Sequence, residues 1–93
     1  MVPFEWDLKR ELINIRKHGV GFETAAQAFR DPHRRIFLDI KHASKEERYL
    51  CIGKVKDRIL TVRFVYRGGR IRIFGAGYWR KEQSYYEEKK EGK

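Results

Sequence analysis

The spacing of apolar residues predicts a helix near the start of the chain. Leu8, Leu12 and Ile15 recur at positions i, i+4 and i+7, which puts them on one face of a helix. Gly19 suits the C-terminus, because glycine readily adopts the left-handed conformation that ends many helices. The first helix is therefore predicted over about residues 7–18, with its apolar stripe turned toward the core.

A second helix and four strands follow in the pattern. The helix is predicted near residues 22–30 and ends before Pro32, because a residue preceding proline is disfavoured in the helical region. Apolar and polar residues then alternate, as is typical of strands. Gly75 and Gly77 are expected to end the fourth strand. The strands are predicted at residues 35–41, 47–52, 59–66 and 70–74, and a last helix runs from residue 80 to about 89.

The predicted element order, α-α-β-β-β-β-α, indicates an α+β fold in a single domain covering residues 1–93. Short connections between consecutive strands favour a four-stranded antiparallel sheet. We expect the two N-terminal helices to pack on one face of this sheet, with a short helix at the C-terminus. The other face is then open to solvent or a ligand.

The charge balance narrows the choice of partners. The 93 residues include 22 Lys and Arg against 13 Asp and Glu, a formal net charge of +9. This excess favours nucleic acid, an acidic protein or an anionic membrane surface. No apolar run approaches the ~20 residues of a membrane span, and the N-terminus lacks a signal-peptide pattern. We therefore expect a cytoplasmic protein with no membrane partner.

The single cysteine, Cys51, excludes an internal disulfide and fits a reducing compartment. It lies in an apolar, strand-like run, which favours a packing role over a catalytic thiol. Three histidines with one cysteine have no metal-ligand spacing, so neither a metal nor another cofactor is predicted.

Basic residues are concentrated between positions 54 and 81, a segment that contains nine of them and a single acidic residue, Asp57. They alternate with apolar residues, so a folded surface is expected to present them, as a polyanion ligand requires. They are Lys54, Lys56, Arg58, Arg63, Arg67, Arg70, Arg72, Arg80 and Lys81.

Four segments of the chain together resemble the BrnT family of toxins, within the RelE/ParE-like superfamily of type II toxin–antitoxin systems. They are FEWDLKRELINIRKHGVGFETAAQAFRDP, DIKHASKEERYLCIG, RILTVRFVYR and RIRIFGAGYWRKE, and they cover roughly residues 4–86 in order. The matching motifs include Trp6-Asp7, Asn14 with Lys17-His18-Gly19, Phe22 with Ala25, His42 with Glu46-Glu47-Arg48, and Arg58 with Leu60.

The resemblance implies a small RelE-like ribonuclease that degrades RNA and arrests translation. It also implies a cognate antitoxin, typically with a ribbon-helix-helix DNA-binding part. Toxin and antitoxin together would repress their operon, so operator DNA is a partner only through that complex.

One departure from the family concerns the end of the fourth predicted strand. Many members have a serine-alanine-arginine element there, and its arginine is a favoured active-site candidate. Here Gly77 stands in that place, and Arg80 is the candidate replacement for the missing charge. Replacing Gly77 by arginine is accordingly expected to be tolerated or to raise activity, unless this glycine holds a positive-φ turn.

Metal-independent cleavage of RNA requires a charged transition state to be stabilised and protons to be moved. Arg63, Arg72 and Arg80 are the candidates for stabilisation, since a guanidinium makes paired hydrogen bonds to phosphate oxygens. The alternative is a solvated positive face that only binds phosphate. Proton transfer is assigned to Glu47 or His42, against the alternative of a structural ion pair with Arg48 and a histidine that caps a turn.

The remaining candidates have no assigned part in the cleavage step. Tyr78 and Trp79 are equally well explained as base-stacking platforms or as core and antitoxin contacts. His18 is interpreted as a histidine at a helix C-terminus. The predicted RNA-binding residues are Lys54, Lys56, Arg58, Arg70, Tyr78, Trp79 and Lys81. A noncatalytic basic module that binds RNA or the antitoxin remains the alternative function.

Overall fold

The computed structural model describes residues 3–40 and 46–92, with side chains up to Glu87. Its strands are β1 (Phe4–Trp6), β2 (Arg35–Leu38), β3 (Tyr49–Val55), β4 (Arg58–Arg67) and β5 (Arg70–Gly77). Its helices are α1 (Leu8–His18), α2 (Phe22–Gln27), which continues into a 3-10 turn (Ala28–Arg30), and α3 (Arg80–Gly92).

The sheet has five strands in the order β1-β5-β4-β3-β2. The predicted α+β class and the antiparallel pairing of β2, β3, β4 and β5 are confirmed. The prediction of only four strands, all antiparallel, is wrong, because β1 pairs with β5 in parallel. Three residues are too few to give an alternating pattern, and β1 owes its conformation to the strand beside it.

The last strand is longer than predicted, since β5 continues through both glycines to Gly77. Arg63 pairs with Gly75 while Phe64 pairs with Ile73, so Phe74 is the extra residue of a β-bulge. Pairing with the central strand β4 outweighs the low strand propensity of glycine, because that propensity depends strongly on context.

The two faces of the sheet have different roles. On the core face, Leu60, Val62 and Phe64 of β4 belong to one buried cluster with Phe22 and Ala25 of α2. The alternate residues of β4 point to the opposite face, which we call the groove face. The hydrophobic core therefore fills one side of the sheet and leaves the groove face for other contacts.

Cys51 belongs to the core, which confirms its predicted packing role. Burial raises the pKa of its thiol to about 12, so the reactive thiolate is disfavoured.

Helix α1 ends at Gly19 as predicted, but its apolar stripe is turned toward solvent and not toward the core. Gly19 is left-handed, with φ 71°, and its N–H donates to the carbonyl of Ile15. The predicted burial of the apolar stripe is wrong, because Leu8, Leu12 and Ile15 are 69%, 66% and 43% exposed. Of the residues in α1, Asn14 is the buried one.

Asn14 attaches α1 to the outer edge of β5. Its Nδ2 donates to the carbonyls of Val20 (3.0 Å) and Ala76 (2.9 Å), and its Oδ1 accepts from the N–H of Ala76 (3.1 Å). Strand β1 pairs only with the first part of β5, from Ile71 to Ile73. The carboxamide of Asn14 therefore satisfies backbone groups of β5 that β1 does not reach.

Helix α3 lies over part of the groove face, so the expectation of an open face holds only in part. Arg35 donates from Nη1 to the carbonyl of Tyr85 at 2.7 Å, and the Tyr85 ring packs on Phe37 with centroids 5.7 Å apart. Asp31 Oδ2 accepts from the hydroxyl of Tyr86 and from the N–H of Lys54, both at 2.7 Å. These contacts fix α3 to the β2–β3 half of the sheet.

The Tyr86–Asp31 hydrogen bond should make stability depend on alkaline pH. Burial, followed by this hydrogen bond, raises the pKa of Tyr86 from 10.0 to about 12. The neutral hydroxyl therefore contributes fully below pH 10 and loses its contribution as the pH rises toward 12. We expect Tyr86→Phe to lower the free energy of unfolding by about 1–2 kcal/mol at pH 8, and the difference from the parent to shrink above pH 10. Urea unfolding of both proteins between pH 8 and about 11.5 measures it; a constant difference would contradict the assignment.

Among the described residues, no helix has the length and apolar character needed to cross a membrane.

Candidate active site

The centre of the groove face is built around Arg63 of β4. Its guanidinium carbon lies over the Trp79 ring, 4.7 Å from the centroid. The ring of His18, the last residue of α1, meets the same indole edge-on at a centroid distance of 5.3 Å. Strand β4, the β5–α3 connection and the end of α1 thus bring a guanidinium, an indole and an imidazole together.

A groove of about 180 Å³ runs between α1 and β5 beside this assembly. We call it the α1 groove, and it is lined by Arg10, Ile13, Asn14, Lys17, His18, Arg63, Phe74, Gly75 and Trp79. Arg63 and Trp79 also line a larger pocket of about 560 Å³ beneath α3. The Arg63–Trp79 stack therefore forms a wall shared by two adjoining hollows.

The α1 groove has a concentrated positive charge. Arg10, Lys17 and Arg63 line it, and no carboxylate is among its described lining residues. Glu11, the acidic residue of α1, does not line the groove. Its Oε2 accepts a hydrogen bond from the N–H of Phe22 at 2.9 Å. A groove with this composition attracts anions such as phosphate.

Arg48 adds a further cation next to the groove. Its guanidinium carbon lies 5.0 Å from the ring centroid of Phe74, which itself lines the groove. The bulge that makes Phe74 an extra residue thus gives Arg48 an aromatic surface to stack on.

The structure separates the three predicted catalytic arginines. Arg63 lines the α1 groove, whereas Arg72 lies on the same face with its Nη1 3.3 Å from the Glu5 carboxylate. Arg80 is the exposed first residue of α3 and is not among the groove-lining residues. Of these three arginines, only Arg63 lies in the α1 groove, where its charged neighbours are Arg10 and Lys17 and no described lining residue is acidic.

The predicted RNA-binding residues are spread over the molecule. Trp79 lines both hollows, and Lys81 lines the pocket beneath α3. At the β3–β4 hairpin, Lys54 and Lys56 are exposed, and Arg58 stacks on the Tyr78 ring at 3.6 Å.

Arg70 lies at the other hairpin, 3.9 Å from Glu5, and Arg67 pairs there with Glu46 at 2.9 Å. Arg58 and Arg67 are the two ends of β4, which separates them by about 30 Å at the ~3.3 Å rise of a strand. The expected single cationic surface is therefore divided, because successive hairpins carry neighbouring segments of the sequence to opposite ends of the sheet.

The structure does not bring Glu47 together with Arg63. Glu47 accepts a hydrogen bond from the Tyr49 hydroxyl at 3.0 Å, and Tyr49 stacks on Phe64 of the core face. The alternative prediction is a structural ion pair between a glutamate and Arg48. In the structure Glu46 forms its ion pair with Arg67 instead. His42 lies outside the described residues.

Sequence reasoning missed the contribution of α1 to the groove. It interpreted His18 as a helix-terminal residue and gave Arg10 and Lys17 no role in the site. The available signal was the motif containing Asn14, Lys17 and His18, since helical periodicity alone does not tell which side of α1 meets the sheet.

Gly77 allows Trp79 to approach the sheet. A Cβ at this position would lie 2.6 Å from the indole atom Cζ2, so the ring lies directly over the glycine. Its φ is not positive, in contrast with Gly68 and Gly69 at the hairpin, so the reason for glycine here is close packing. The expectation that arginine would be tolerated here conflicts with this contact.

We therefore expect Gly77→Arg to displace Trp79 and to lower RNA cleavage by about tenfold or more, since the Arg63–Trp79–His18 assembly is lost. Gly75→Ala is the matched control, because a Cβ there would lie 3.5 Å from Arg63 Cδ, an ordinary contact. Indole fluorescence in a Trp6→Phe background, together with a cleavage assay, measures both effects. Unchanged fluorescence and activity in Gly77→Arg would contradict the packing argument.

Within the described part of the chain, His, Cys, Asp and Glu side chains form no group of three or more that could hold a metal ion.

Residues 6–83 match the model of a protein family described as the ribonuclease toxin, BrnT, of type II toxin-antitoxin systems. The matched region runs from the end of β1 into α3 and includes every residue that lines the α1 groove. No curated protein matches the chain significantly. The chain therefore belongs to the BrnT family of ribonuclease toxins, and an antitoxin partner follows from that membership.

Proposed function

We propose that the protein is an endoribonuclease toxin that cleaves RNA in the α1 groove without a metal ion, and that this cleavage inhibits translation. The observation that carries the proposal is the assembly of Arg63, Trp79 and His18 at a groove whose other charged lining residues are Arg10 and Lys17. A cationic groove binds the phosphate backbone and disfavours a divalent cation in the same place.

The reaction proposed is transfer of the phosphate to the neighbouring 2′-hydroxyl. The 2′-oxygen attacks phosphorus, the bond to the 5′-oxygen breaks, and the products carry a 2′,3′-cyclic phosphate and a 5′-hydroxyl. Negative charge grows on the non-bridging oxygens during this step. Arg63 is proposed to stabilise that charge through paired N–H donors, while Arg10 and Lys17 hold flanking phosphates.

Proton transfer is proposed to involve His18. An imidazole exchanges protons near neutral pH, and His18 is held against Trp79 in the groove. We assign it delivery of a proton to the leaving 5′-oxygen, and His42 remains a proposed acceptor of the 2′-hydroxyl proton. Glu47 is not retained in this role, because its contacts lie on the other face of the sheet.

The other basic residues are proposed to bind RNA outside the cleavage point. Lys81 adds a cation to the pocket beneath α3, which Asp39 and Glu82 also line, and Trp79 offers an indole for base stacking. Arg72 is proposed to contribute to backbone binding, weakened by Glu5, and Arg80 to contact RNA from the exposed start of α3. The antitoxin is proposed to be of the ribbon-helix-helix type and to carry the complex to operator DNA.

The test is cleavage of end-labelled RNA by the purified protein in EDTA. We expect cleavage that survives EDTA, products with a 2′,3′-cyclic phosphate, and a loss of about 10²-fold or more in His18→Ala. His33→Ala is the matched control, because His33 lies in the exposed loop before β2. Tight, salt-sensitive binding with no cleavage would instead favour a noncatalytic RNA-binding module.

A further inference from the structure

Helix α1 presents an apolar stripe to solvent on the side away from the α1 groove. Leu8, Leu12 and Ile15 form this outward stripe, and all three are exposed. The groove side of the same helix is more polar, with Arg10, Asn14 and Lys17 beside a single large apolar residue, Ile13. Large side chains that repeat at i, i+4 and i+7 and remain in water are typical of a helix that packs against a partner.

The stripe is bordered by positive charge. Lys9 and Arg16 follow Leu8 and Ile15 in sequence and, at 100° per residue, fall together along one flank of the stripe. Glu11 offers no compensation on this flank, because its carboxylate turns inward to the N–H of Phe22. A partner that covers the apolar residues and bears acidic groups beside them complements this surface in both respects.

We propose that the outward stripe of α1 is the docking surface for an acidic amphipathic helix of the antitoxin. This rests on the proposed function only in that the partner is the antitoxin of a toxin pair. The apolar residues of the antitoxin helix cover Leu8, Leu12 and Ile15, and its carboxylates pair with Lys9 and Arg16. The stripe and the α1 groove lie on opposite sides of α1, so the partner helix is separated from the groove by the ~10 Å width of a helix.

The double variant Leu8→Glu/Leu12→Glu tests the apolar contact. Its affinity for the full-length cognate antitoxin, produced from the reading frame adjoining the toxin gene, is measured by calorimetry. We expect a loss of about 100-fold or more, because central apolar anchors dominate such interfaces. RNA cleavage by the free variant should stay within about twofold of the parent, since neither leucine lines the groove.

Leu38→Glu is the matched control, since Leu38 is also exposed but belongs to β2 at the opposite edge of the sheet. It should bind antitoxin as the parent does. Lys9→Glu/Arg16→Glu tests the charge contact, and we expect antitoxin association about tenfold slower with a reduced dependence on salt. If the double leucine variant does not fold, the single variant Leu12→Lys repeats the measurement.

Unchanged antitoxin affinity in the folded leucine variants would overturn the proposal, as would a loss confined to Leu38→Glu. A parent toxin that dimerises alone, and whose dimer but not its antitoxin affinity is lost in Leu8→Glu/Leu12→Glu, would assign the stripe to a second copy of the chain. Absence of RNA cleavage in the parent would refute the proposed function while leaving these binding results interpretable.

Discussion

Arg63→Ala is expected to lower RNA cleavage by about 10²–10³-fold, the range seen when one preorganised donor to a charged transition state is removed. The guanidinium is held in place by the Trp79 ring beneath it and lines both hollows of the groove face. Arg10 also lines the α1 groove, whose described lining contains no acid, but Arg63 is the arginine there that stacks on Trp79. The loss should appear in single-turnover rates at saturating protein, which separates chemistry from binding.

Two further arginine variants make the result specific. Arg63→Lys keeps the charge but loses the planar pair of donors, so we expect an intermediate loss of about tenfold. Arg67→Ala removes an arginine that pairs with Glu46 at the β4–β5 hairpin, and it should remain within about twofold of the parent. Equal effects of Arg63→Ala and Arg67→Ala on cleavage would mean that general positive charge, rather than the α1 groove, governs the reaction.

Local patterns predicted the parts of this fold that local physics decides. Gly19 ends α1 because the backbone there is left-handed, which is a property of one residue and its neighbours. The antiparallel pairing of β2, β3, β4 and β5 in sequence order agrees with the predicted pairing of consecutive strands. The choice of Arg63 came from its position on a strand of alternating faces, and its place on the groove face agrees with that alternation.

Features decided by distant contacts were not predictable in this way. Strand β1 exists because β5 accepts it, and nothing in three residues indicates that pairing. The stripe of Leu8 and Leu12 has the period of a core-facing helix, yet α1 is turned so that Asn14 meets the sheet. Periodicity identifies a face of a helix but does not say what covers it, and an apolar face reserved for a partner resembles one that packs in the core.

The candidate site depends on the same long-range contacts. His18 reaches Trp79 across sixty-one positions of sequence only because α1 lies along β5. Glu47 and Arg48 are neighbours in sequence just before β3, but their side chains reach different partners, Tyr49 for Glu47 and Phe74 for Arg48. Clustering along the chain is therefore a poor guide to clustering in space when the residues lie on strands.

The orientation of α1 gives the largest expected effect on stability, at Asn14. Replacing Asn14 by alanine leaves the carbonyls of Val20 and Ala76 and the N–H of Ala76 without this partner. Unsatisfied buried groups cost about 1–3 kcal/mol each, so we expect a loss of about 3–5 kcal/mol in the free energy of unfolding. That is a large part of the ~5–15 kcal/mol typical of a domain, and urea unfolding measures it.

Two comparisons separate the Asn14 hydrogen bonds from helix propensity. Leu12→Ala, two residues earlier on the exposed side of α1, should change stability by no more than about 0.5 kcal/mol. Native-state hydrogen exchange should show Ala76 losing protection in Asn14→Ala, because its N–H then has no acceptor at the edge of β5. If Ala76 kept its protection, or if Leu12→Ala were equally destabilising, α1 would have to be held in place by other contacts. The position of His18 and Lys17 beside Arg63 would then not depend on Asn14.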